Sequence, residues 1–115
     1  MKTTWTGPAI AVALLLAFPM CASAAGDIEA GKHKSQVCQA CHGPTGTGTG
    51  DPQYPIIAGQ HADYLVHSLE QYRSGERVNP IMAGFTATLS EQDMEDLAAF
   101  YAAQESPLTD ISHLK

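Results

Sequence analysis

Residues 38 to 42 read Cys38-Gln39-Ala40-Cys41-His42, two thiols three positions apart followed at once by an imidazole. On one turn at the end of a helix the two sulfurs fall on roughly the same side, where each can add to a vinyl group of a porphyrin. His42, next along, can then turn its ring to the iron. Two other chemistries use paired cysteines. A redox dithiol wants a βαβ setting, and the chain offers no convincing strand. A structural zinc site wants four ligands, yet there is no second Cys pair and no other histidine at zinc-finger spacing. The run therefore reads as a covalent haem attachment site, and with no internal repeat the expectation is one haem.

The elements that must position this motif can be read on either side of it. From Asp27 to His42 the pattern predicts a helix with Asp27 as cap, Glu29 at the positive end of the dipole and Gly43-Pro44 as the stop. Gly31 costs such a helix about 1 kcal/mol relative to alanine, which either a close helix crossing or simple tolerance near a helix start would explain. Gly43 to Pro55 is a glycine-rich loop; it lacks the GK[ST] and preceding strand of a phosphate cradle, and is expected to cross one side of the haem in solvent. A second helix is expected from Gln60 to Ser74, ended by Gly75, with Tyr64, Leu65, Leu69 and Tyr72 turned inward. His61 in its first turn and His67 off that stripe read as surface residues. Arg73 reads as solvent-exposed, whereas for Arg77 exposure and pairing with a haem propionate are both open.

Asn79 to Phe85 is expected to be an apolar loop carrying one thioether, Met82, which fits the sixth coordination position of the iron. Ser90-Glu91-Gln92-Asp93 then opens a third helix as a capping box, with Met94, Leu97, Ala98 and Tyr101 on its apolar face and Phe100 beside them. Met94 is the rival ligand, but its register with Leu97 and Tyr101 makes it a core residue. The tail from Ser106 carries little signal.

The beginning of the chain reads as an export signal removed after Ala24: Lys2 supplies charge, Ala9 to Phe18 is apolar, and Ala22-Ser23-Ala24 is a small-residue cleavage site. Cys21 is a poor lipidation site because Phe18-Pro19-Met20 precedes it. No later segment approaches the length of a membrane span. The domain expected is residues 25 to 115, small enough that a buried cofactor would supply much of its apolar interior. The full chain has 6 Lys and Arg against 12 Asp and Glu, a net charge of −6. Loss of Lys2 with the leader takes this to −7. That balance argues against nucleic acid and anionic membrane as partners and favours a basic docking surface.

Three stretches in order, CQACHGPTGTG, YPIIAGQHADYLVHSLEQYRSGER and NPIMAGFTATLSEQDMEDLAAFYAAQ, resemble a small class I c-type cytochrome of the c553 type, or one half of a dihaem cytochrome c4. The resemblance covers essentially the whole exported chain. It implies an all-α fold, three main helices and loops wrapped around one covalently bound haem c. It implies thioethers on Cys38 and Cys41, with His42 and Met82 as axial ligands of the iron. It further implies that Pro55 accepts the hydrogen of the ligand imidazole through its carbonyl, that Ile57 lies against the ring, and that Gly31 meets Phe100 or Tyr101 where the first and last helices cross. Cytochrome c4 continues into a second haem domain where this sequence stops at Lys115, so a paired-haem arrangement would need a second copy; monomer and homodimer both stay open.

With both axial positions filled by protein, the iron is left with a change of oxidation state, and the expected function is periplasmic single-electron transfer between redox proteins rather than catalysis. Two alternatives stand beside it: a haem subunit held in a larger dehydrogenase such as a flavoenzyme, and a peroxidase-like haem enzyme needing an open iron position with His61 as distal base.

Overall fold

The computed structural model describes residues 1–3 and 25–108, and these are helical with no strands among them. Most of the expected leader, 4–24, with Cys21 and the cleavage site, lies outside the described residues, as does the end of the tail, 109–115.

The predicted first helix starts where expected, with the Asp27 carboxylate accepting from the Ala30 amide, but it runs in three pieces. These are α1 (Ile28–Lys34), a 3-10 turn (Ser35–Val37) and α2 (Gln39–His42), joined at Cys38. The tightening is local. The Ser35 hydroxyl donates to the Lys32 carbonyl at 2.8 Å, and the Cys38 amide reaches only to Ser35, also at 2.8 Å. The second helix, α3 (Ala62–Ser74), begins two residues later than predicted and ends on left-handed Gly75.

Asn79 to Phe85 is not the loop that was expected. Pro80–Thr86 forms α4, because the Asn79 side chain accepts from the Ile81 and Met82 amides, Pro80 sits at the first position where its missing N–H costs nothing, and the Thr86 hydroxyl returns to the Met82 carbonyl. Ser90 opens α5 (Glu91–Ala102) through the predicted capping box, reciprocated by the Asp93 carboxylate.

The apolar face of α5 is the centre of the packing. Leu97, Ala98, Phe100 and Tyr101 join Leu65 of α3 in one buried cluster, with Ile57, Val66, Leu89 and Cys38 partly buried against it. Helix α1 crosses α5 at Gly31, where any side chain would run into the Asp96 carbonyl and come within 2.8 Å of Phe100 Cβ. Beside the crossing, buried Asp96 accepts from the Asp27 amide, Lys34 and Gln92, and Lys34 also pairs with Asp93 at 2.7 Å. The glycine-rich loop is less solvent-exposed than expected: Gly43 and Gly46 are buried. Gly46, at φ +79, lies where a Cβ would be 2.7 Å from Tyr101 Cδ1, and its carbonyl accepts from both Ile57 and Ala58.

Candidate functional site

Among the described residues these elements enclose a cavity of about 330 Å³. Helix α2 and the residue before it contribute Cys38, Cys41 and His42; the loop adds Pro55 and Ile57; α3 adds Tyr64, Leu65, Ser68, Leu69 and Tyr72. Arg77, Met82 and Phe85 follow, and Leu97, Ala98 and Tyr101 of α5 also line it. All seven residues singled out in the sequence as cofactor-binding or metal-ligating therefore meet at this cavity. Met94 is fully buried in the core and does not line it. Nor do His61 and His67, both exposed, or Arg73, which reaches instead to the Leu89 carbonyl at 3.3 Å.

His42 is 7% exposed and its Nδ1 lies 2.8 Å from the Pro55 carbonyl oxygen. A carbonyl can only accept, so Nδ1 carries the hydrogen and Nε2 keeps its lone pair free for an electrophile. Both neighbouring structures contribute to this placement: Gly43 ends α2 directly after the ring, and the Gly46 carbonyl ties down the strand of loop leaving Pro55. Cys38 and Cys41 are half-buried and not joined to each other. Burial pushes the Cys38 thiol above its ordinary pKa, against the opposing effect of the Tyr101 hydroxyl, so at neutral pH it stays a thiol.

Arg77 is the one permanently charged side chain of the lining. Its guanidinium lies 5.3 Å from the Tyr72 ring centroid and 6.0 Å from that of Tyr64, and 3.4 Å from the Ser68 hydroxyl. The guanidinium in turn holds the Tyr64 hydroxyl below the usual phenol range. Tyr64 and Tyr72 lie on the stripe expected to turn inward, and their contact with Arg77 is a role beyond that expectation. The signal was present: Tyr64, Ser68 and Tyr72 are spaced by four, hence stacked along one helix face next to the corner that carries Arg77.

A porphyrin with two propionates suits these walls. The lining is mostly apolar, it offers two thiols, an imidazole nitrogen and a thioether, and it carries one cation for carboxylates. One polar atom of this lining is left over. The Tyr101 hydroxyl is buried without a hydrogen-bond partner, a deficit worth about 1 to 3 kcal/mol in a closed core. Among the described residues no group of three or more His, Cys, Asp or Glu side chains is placed to share a metal ion, and no helix is long and apolar enough to cross a membrane.

Comparison with known proteins gives a consistent result. The family model for cytochrome c matches residues 28–103. Cytochrome c-554(548) of Halomonas halodenitrificans is 43% identical over 84 residues, which are 70% of this chain and all of that protein. Cytochrome c4 of Pseudomonas aeruginosa is 38% identical over 96 residues, 84% of this chain and 47% of the relative. The crystal structure of reduced recombinant cytochrome c4 from Pseudomonas stutzeri superposes with a TM-score of 0.68 at 38% identity, over 73% of this chain and 48% of that one. The chain thus spans about half the length of the cytochrome c4 relatives it matches.

Proposed function

The chain belongs to the cytochrome c family, and from that membership we propose that it is a periplasmic carrier of single electrons whose haem iron is bound by His42 and Met82. It is a cytochrome c electron-transfer protein with covalently attached haem c, and its relatives are named as cytochromes. The finer reading rests on one observation: both thiols, His42 and Met82 line the same cavity, and His42 has already committed its other nitrogen to Pro55.

In this reading Cys38 and Cys41 hold the haem through thioethers. Each sulfur would be joined to the haem by a carbon–sulfur bond made by adding its S–H across a vinyl group, which balances without an oxidant. The haem supplies the Fe(II)/Fe(III) couple. The residues do the rest. Pro55 fixes the His42 ring and raises its basicity through the Nδ1–H bond. Met82 brings a neutral thioether, which favours the ferrous state relative to nitrogen-only ligation. Ile57, Leu65, Leu97 and Ala98 exclude water, and Arg77 takes a propionate. Redox proteins are the partners, and the net charge supports a basic docking surface on them. Residues 1–24 act as the export signal and 25–115 as the monohaem domain.

The test is an optical spectrum of the purified protein in both oxidation states, with cyanide and carbon monoxide as probes. Expected are c-type haem bands, the weak red charge-transfer band of ferric thioether ligation, and no ligand binding. Tight binding of either probe to the native protein would mean an open iron position and would remove the His42/Met82 assignment.

A further inference from the structure

Tyr101 is 3% exposed, and its ring is fixed between Gly46 and Phe100, the latter edge-on at 5.0 Å between centroids. The ring alone would fill this space, since a phenylalanine has the same outline. The hydroxyl needs a separate reason, because it is buried at the cavity wall with no hydrogen-bond partner.

Two polar neighbours are in reach, Ser35 Oγ and the Cys38 sulfur, and neither meets the geometry of a hydrogen bond with it. Ser35 has spent its hydrogen on the Lys32 carbonyl and accepts from Gln39 Nε2 at 3.0 Å. It has nothing to donate, and although its oxygen keeps a second lone pair, no hydrogen bond from Tyr101 reaches it. The sulfur is different. As a thiol Cys38 can donate or accept, but a sulfur bonded to a second carbon has no hydrogen and can only accept. Attachment at Cys38 therefore leaves the Tyr101 O–H as the one hydrogen available between these two groups.

We propose that Tyr101 is a positioning residue that sets the redox potential through Cys38: its O–H donates to the thioether sulfur and so favours the ferrous state. This rests on the haem being attached at Cys38. The O–H dipole would point its positive end at an atom covalently joined to the macrocycle, in a site closed to water where such a dipole is weakly screened. Adding an electron to the haem is then easier than with a bare ring in the same place.

The experiment uses the exported holoprotein and Tyr101→Phe. Peptide mass first establishes whether Cys38 carries haem in both. With attachment intact, Tyr101→Phe should keep the axial-ligand spectrum and lower the midpoint potential. In the native protein, exchange into D₂O should shift the carbon–sulfur stretching band of the Cys38 thioether in the resonance Raman spectrum, and the shift should vanish in the variant. An unchanged or raised potential, or a native band indifferent to D₂O, overturns the proposal while leaving the haem attachment standing. Haem missing from Cys38 in the native protein overturns the attachment reading and this inference with it. If Tyr101→Phe fails to accumulate, the native isotope shift alone decides.

Discussion

Gly31 lies against Asp96 so closely that the Asp96 carbonyl occupies the space a Gly31 Cβ would need. Helix propensity alone would reward Gly31→Ala by about 1 kcal/mol. Here the clash is with backbone, which cannot rotate away, and overpacking of this kind costs about 1 to 3 kcal/mol or more. The expected outcome is a net loss of stability with an unchanged haem spectrum, measured by thermal unfolding of the holoprotein. An alanine variant that melts higher would show that the crossing can slide.

Acid should loosen the same crossing. Hydrogen bonds from Lys34 and Ser90 hold the Asp93 carboxyl down at about 2, and the Asp27 amide and Lys34 also hold Asp96 below its ordinary value. Carboxyls depressed in the folded state contribute stability that is complete above their unfolded pKa, about 4, and is lost as the pH falls toward 2. Stability followed from pH 6 to pH 2 should be flat above about 4 and drop below it. Asp96→Ala, which leaves the Asp27 amide without its partner and Lys34 with Asp93 alone, should lose about 1 to 3 kcal/mol at neutral pH and flatten the acid limb. An acid limb identical in variant and native protein would locate the titrating groups elsewhere.

Met82 and Met94 should fail in different ways. Met82→Ala is expected to lose the red charge-transfer band, admit carbon monoxide or cyanide and lower the potential, while the fold persists on His42 and the thioethers. Met94 is fully buried, so Met94→Ala should keep the band and cost about 2 to 5 kcal/mol of stability. The reverse pattern would transfer the ligand role to Met94.

Electron transfer to a basic partner should slow as salt rises, because screening acts over about 10 Å at 0.1 M. The acids at the start of α5 are not equal in this respect. Asp96 is buried and Asp93 is tied to Lys34, which leaves Glu91 and Glu95 to act at a distance. Stopped-flow rates for Glu91→Gln/Glu95→Gln should show a shallower salt dependence than the native protein. A native rate indifferent to salt would remove steering altogether.

Local chemistry was the legible part of this sequence. The haem motif, the Ser90 capping box, the Gly75 stop and the α5 core stripe each depend on residues within a few positions of one another, and each was readable without the fold. The misreadings have physical causes. Helix α4 is seven residues long with Gly84 inside it, so periodicity had too little to work on; the start signal was Asn79 followed by Pro80, a cap and a first-turn proline. The break at Cys38 follows from the Ser35 side chain bonding back to Lys32, a competition between side chain and backbone that composition does not reveal. The burial of Asp96 depends on partners from α1, and the lone hydroxyl of Tyr101 exists only where α5 meets the haem motif, so neither shows in the local pattern.

The crossing of α1 with α5 also governs the order in which the protein can mature. The Asp27–Asp96 hydrogen bond joins residues 69 positions apart, and closing a loop of that length costs about 4 kcal/mol of chain entropy before any contact repays it. Local helices form far sooner than such a contact. Cys38, Cys41 and His42 can thus take up their local turn before the α5 wall formed by Leu97, Ala98 and Tyr101 docks against them. Attachment at Cys38 and Cys41 would then take place on an open, half-built surface, and the last helix would close over a cofactor already in hand.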